Sequence, residues 1–85
     1  MRFELELRNL PLGRLGEYLV AAGGTLTDPR HAAGQGWSAQ IVALDPAVLG
    51  KFSIPRDLLI IEGDDDAAVQ AVHAFMRRQT MRGGG

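Results

Sequence analysis

The chain has 85 residues, of which 46% are hydrophobic and 22% charged, ordinary values for one globular domain with a single core. Its formal net charge of -1 gives no electrostatic reason to expect nucleic acid as a partner. With no cysteine it has no disulfide, thiolate metal site or thiol nucleophile, which agrees with a reducing, cytoplasmic setting.

The first segment, Arg2-Phe3-Glu4-Leu5-Glu6-Leu7-Arg8, alternates charged and apolar residues without a break and predicts a strand with one wet face. The start, Met1-Arg2-Phe3-Glu4, does not read as a signal peptide because charge interrupts it, and no run approaches a membrane span. Asn9 or Leu10 then caps a helix whose first turn tolerates Pro11. Leu12, Leu15, Leu19 and Ala22 recur on one face, and Gly23-Gly24 ends it. Gly13 and Gly16 each weaken that helix by about 1 kcal/mol relative to Ala, so it must lean on the sheet, and they allow close approach there. Thr25-Leu26-Thr27 predicts a short strand. Asp28 to Gly36, punctuated by Pro29, Gly34 and Gly36, predicts a long loop.

Trp37 to Leu44 resumes strand character and Asp45-Pro46 turns it. Val48 to Ile54 is a further strand candidate, bulged at Gly50 and separated by Pro55 from the next strand. Asp57 to Glu62 carries apolar residues on both faces, the pattern of a strand covered on both sides. In the final helix, Asp64, Asp65 and Asp66 favour the start and Arg77, Arg78 and Arg82 the end. Val69, Val72, Phe75 and Met76 form its buried stripe, with Ala68 and Ala71 beside it. Gly83 to Gly85 reads as a flexible tail.

This order predicts an α+β fold: one domain over residues 1–82, a two-layer sandwich in which an antiparallel sheet of four to five strands carries both helices on one face, in β-α-β-β-β-α order. Two thin helices cannot cover both faces of such a sheet. The apolar surplus of Val42, Leu44, Leu59 and Ile61, or their alternates, therefore marks an interface for a second copy or another protein on the face opposite the helices.

No catalytic or metal motif emerges, and no cofactor is expected. His31 and His73 are the only histidines, so no two-His ligand pair exists, and His73 reads as a packed or rim residue beside the buried stripe. The run of three aspartates is explained by helix capping without a divalent cation. The one place where a cation, a titratable group and flexible backbone coincide is Arg30, His31, Gly34 and Gly36 with Trp37. That loop is the candidate site for a small anionic ligand, or for an enzyme acting on one. The terminal Gly84 and Gly85, preceded by Arg82, resemble the tail of ubiquitin-like sulfur carriers, whose terminal carboxylate is activated. Here the tail follows a helix, whereas ubiquitin-like domains run it out from a strand.

Gly36-Trp37-Ser38-Ala39, Ile54-Pro55-Arg56 with the strand after it, and the last helix leading into Arg82-Gly83-Gly84-Gly85 together resemble a known group. It is an uncharacterised family of small thermophile domains, also found fused after the ubiquitin-like domain of proteins related to the small subunit of molybdopterin synthase. The resemblance implies a TATA-binding-protein-like architecture, a curved antiparallel sheet with helices on one side, and supplies no catalytic or binding residues. The apolar surplus on the sheet makes a non-enzymatic interaction or accessory module the leading reading, and the resemblance implies a link to molybdenum-cofactor or sulfur-transfer metabolism. The loop binder and the glycine-tail carrier stand as alternatives.

Overall fold

The computed structural model describes residues 1–83. The elements in chain order are β1 (Arg2–Arg8), α1 (Leu12–Ala21), β2 (Thr25–Asp28), β3 (His31–Gly34), β4 (Trp37–Leu49), β5 (Phe52–Glu62) and α2 (Asp66–Gly83). The five strands form one antiparallel sheet in the spatial order β1-β5-β4-β3-β2. The fold is thus α+β as expected, with one strand more than the expected order. The predicted long loop is a hairpin: Pro29 and Arg30 turn the chain between β2 and β3, and β3 pairs with β4 from His31↔Gln40 to Gly34↔Trp37.

The chain leaves β1 through Asn9, whose φ of 58° lies in the left-handed region that Asn tolerates, and whose N–H donates to Pro55 O at 2.8 Å. Pro11 then occupies the N-cap position of α1. At the other end Gly23, with φ 103°, turns the backbone so that its N–H reaches Val20 O and that of Gly24 reaches Leu19 O, the paired bonds of a Schellman stop. Asp65 caps α2, its Oδ1 accepting from Ala68 N–H at 3.2 Å.

Strand alternation sorts the sheet into two faces. On one, Leu7, Ile41, Leu59 and Ile61 meet Leu15 and Leu19 of α1 and Val69, Val72 and Met76 of α2 in a single cluster, with the partly buried Phe3, Leu5 and Phe75 packed against it. Burial of each Leu or Ile there stabilises the fold by roughly 1.5–3 kcal/mol. Ala71, placed beside this stripe by periodicity, is exposed instead. Gly16 lies against Leu26, whereas Gly13 has no neighbour that a side chain would meet. Only the first of the two therefore serves close approach.

The largest departure from expectation is a long hairpin. β4 does not turn at Asp45-Pro46, and β5 does not begin after Pro55. The register passes from Leu44↔Arg56 to Ala47↔Ile54, so Asp45 and Pro46 together oppose Pro55 in a β-bulge. Both prolines sit where the ladder is already interrupted, so their missing N–H groups leave no partner unmatched. The turn falls at Gly50, with φ 62°, rather than a bulge. Residues 45–55 therefore form an arm beyond the helices, and the molecule is elongated, 43 × 24 × 20 Å.

Candidate functional site

The proposed ligand loop does not converge. Arg30, the last turn residue, and His31, the first residue of β3, point to opposite sides of the sheet. Arg30 lies on the helix side, its Nη1 3.5 Å from Asp57 Oδ1 and donating to Ile41 O at 3.3 Å. His31 lies on the open side, its Nδ1 2.9 Å from both carboxylate oxygens of Asp28, whose Oδ1 also accepts from Arg30 N–H. The His31 hydrogen bond, then the Arg30 N–H, hold the Asp28 carboxyl below its ordinary range.

The aromatic member of that set is a core residue. Trp37 is 7% exposed, with its indole laid against Gly34 and Gly24. Gly36, at φ 80°, lets the chain turn past Asp65, and Gly34 leaves the room that the indole occupies. His73 stacks on Phe3 with ring centroids 3.9 Å apart and 3° between planes, and burial, then Arg77, lower its pKa. Among the described residues no group of three or more His, Asp or Glu is arranged to hold a metal, and no helix is long and apolar enough to cross a membrane.

The interface candidates divide between the two faces. Leu59 and Ile61 are 0% exposed beneath the helices, so they are corrected from the surface to the core. Val42 and Leu44 lie on the open face. Their neighbours there are the alternates in β5, since Val42 pairs with Leu58 and Gln40 with Ile60. Alternation extends this row past the bulge onto the arm, where Ala47 opposes Ile54 and Leu49 opposes Phe52. Leu49 is 62% and Phe52 74% exposed. Sequence reading offered Leu58 and Ile60 only as alternates and missed Phe52 and Ile54, although their period-two spacing was present; the breaks assigned at Pro46 and Pro55 cut the row into pieces.

The open face thus carries an apolar stripe along β4 and β5, flanked by the charged row of β1. One charge interrupts it. Arg56 Nη1 donates to Glu6 Oε1 at 2.8 Å and its Nε to Asp45 O at 2.7 Å, while Arg8 Nε donates to Glu6 Oε2 at 3.3 Å. At the far end of the stripe Ala33 and Ser38 leave a hollow of about 230 Å³ bounded by His31, Gln40, Ile60 and Glu62. On the helix side a mainly apolar cleft of about 490 Å³ lies where α1 begins, between Leu10 and Pro55. Gly84 and Gly85, the carrier-tail candidates, lie outside the described residues, and α2 runs to Gly83 ahead of them.

Sheet, helices and stripe together define a small α+β domain with one helix-covered face and one open apolar face. The chain belongs to the archaeal MoaD-like protein family, whose family model matches residues 3–85. No curated protein matches it.

Proposed function

We propose that the chain is a non-enzymatic docking module of sulfur-transfer or molybdenum-cofactor metabolism, working in the cytoplasm and binding protein through the open face of β4 and β5. The observation that carries the reading is the stripe itself. Phe52 and Leu49 hold large apolar side chains in water at the end of an arm that no helix covers. With the half-buried Val42, Leu44, Ala47, Ile54 and Leu58 they make an exposed patch on the order of 400 Å², in the range where monomer surfaces become binding sites. Family membership supplies the metabolic setting. The TATA-binding-protein-like comparison belongs to the same reading as a description of a curved sheet backed by helices. DNA is not the proposed ligand at a net charge of -1.

The test is affinity capture from native lysate with three baits: the full chain, Phe52→Glu, and a chain lacking residues 83–85. Retained proteins are identified by mass spectrometry. The expected result is one set that includes an enzyme of sulfur transfer or cofactor assembly, held equally by the full and shortened chains and lost with Phe52→Glu. Retention that depends on the glycines and ignores Phe52 would replace this reading with the carrier.

A further inference from the structure

Along the open face, β5 carries Phe52, Ile54, Arg56, Leu58 and Ile60, an apolar row symmetric about its central arginine that runs from the exposed Phe52 to Ile60, 9% exposed beside the hollow. A two-fold axis through the Leu44–Arg56 rung lays the arm of one copy antiparallel over the sheet of another. Four residues toward the tip from Arg56 is Phe52, and four residues away is Ile60. The same rotation places Ile54 over Leu58. Every contact then occurs twice, which is the requirement of an isologous interface. We infer that the occupant of the open face is a second copy of this chain, arm laid over sheet about that axis.

Three further observations fit this arrangement. The hollow over Ala33 and Ser38 lies beside Ile60, where the partner's Phe52 ring arrives, and its volume of about 230 Å³ accommodates a benzyl group. Lys51, next along the arm, has no ion-pair partner among the described residues. It is carried toward Glu62 and Glu4, two carboxylates that share the single guanidinium of Arg2. The charges are therefore complementary at both ends of the contact. Arg56, which the axis brings near its own copy, is already neutralised by Glu6 within each chain.

The area is sufficient. An apolar patch on the order of 400 Å² per copy, with its polar rim, buries about 1,200 Å² in total, the lower bound for a stable standard interface. A modest-affinity dimer is the expected product.

The inference rests on the docking reading above, and its test separates the two. Because the chain has no native cysteine, introduced thiols report cleanly. Phe52 and Ile60 lie eight residues apart on one strand, about 26 Å, so Phe52→Cys and Ile60→Cys cannot join within a chain. Equal amounts of the two single variants are mixed with a thiol-specific bismaleimide spanning about 10 Å, the separation of packed sheets, beside each variant alone. The expected result is a covalent dimer in the mixture and neither variant alone, together with sedimentation of the wild-type chain as a dimer and of Phe52→Asp as a monomer. Phe52 is solvent-exposed, so Phe52→Asp retains its far-UV circular dichroism. A wild-type chain that sediments as a monomer at about 1 mM overturns the inference, as does a dimer that survives Phe52→Asp. So does a dimer whose mixed variants stay unlinked. A monomer whose capture of a protein partner still depends on Phe52 removes the second copy and leaves the docking function standing.

Discussion

Trp37 offers the sharpest check on whether the first half of the chain holds a ligand platform or a core. At Gly24 an added Cβ would lie 2.7 Å from Trp37 Cη2 and 3.1 Å from Cζ2, and 3.0 Å from Leu19 O. The indole cannot step aside, because Gly34 closes on its pyrrole edge and Gly63 on its Cα. Gly24→Ala therefore overpacks a rigid site, at roughly 1–3 kcal/mol, while the less flexible unfolded chain returns up to about 1 kcal/mol. A net loss of about 1–2 kcal/mol lowers the Tm of a chain this size by about 5–15 °C. The assay is thermal unfolding followed by fluorescence of the single tryptophan and by circular dichroism, which should report one coincident transition. A Tm at or above the wild-type value would refute the packing argument. It would return Trp37 to the candidates for ligand contact.

Gly13→Ala is the matched control: nothing lies within reach of the added methyl, so the same two melts should show stabilisation of about 0.5–1 kcal/mol. Asp65→Ala removes the cap accepted from Ala68 N–H and should lower stability by about 1 kcal/mol, read as a fall in urea midpoint with unchanged slope. His73 gives the fold a pH dependence. Its folded pKa lies below the ordinary 6.5, so in the window just beneath 6.5 the unfolded chain binds more protons than the folded one. Stability is full above that value and declines as pH falls through it toward the folded pKa. Melts between about pH 7.5 and 5 should show this decline in the wild type and lose it in His73→Gln. Asp28 titrates below its ordinary 3.8 and does not enter that window.

How much of this was legible in the sequence depended on whether a pattern was local. The unbroken alternation of Arg2 to Arg8 and the helical stripe from Val69 to Met76 each carry their own answer, and both elements stand where periodicity put them. β3 was invisible because its core, His31-Ala32-Ala33, is short and weakly strand-forming between two clusters of turn residues. It exists because β4 offers it a ladder. Pro46 and Pro55 read as breaks one at a time, and only their meeting across one bulge lets a continuous hairpin pass. The division of the apolar residues between the two faces was hidden for a related reason. Leu58 to Ile61 is apolar in both parities, so no local pattern says which pair faces the helices. The partner strand decides: Phe3 opposes Ile61 and Leu5 opposes Leu59, which sends Leu58 and Ile60 to the open side.

Neither edge of the sheet is suited to pairing with another chain. β2 is only four residues long, too short an edge to template much pairing. β1 is longer, but its outward charges read Arg2, Glu4, Glu6, Arg8, symmetric about Leu5. Antiparallel pairing with a second β1 over its full length sets Arg2 against Arg8 and Glu4 against Glu6, like charge against like at every outward position. Sliding by two residues gains a pair of Arg–Glu contacts, yet shortens the ladder and sets one glutamate against its own copy. The same arginines and glutamates are already engaged with one another and with Arg56 and Glu62 inside the chain, so opening the edge to a partner strand would disturb pairs that exist. The strand that seals the core with Phe3, Leu5 and Leu7 thus guards the edge with its other side, and the stripe on β4 and β5 is apolar surface that neither edge protects.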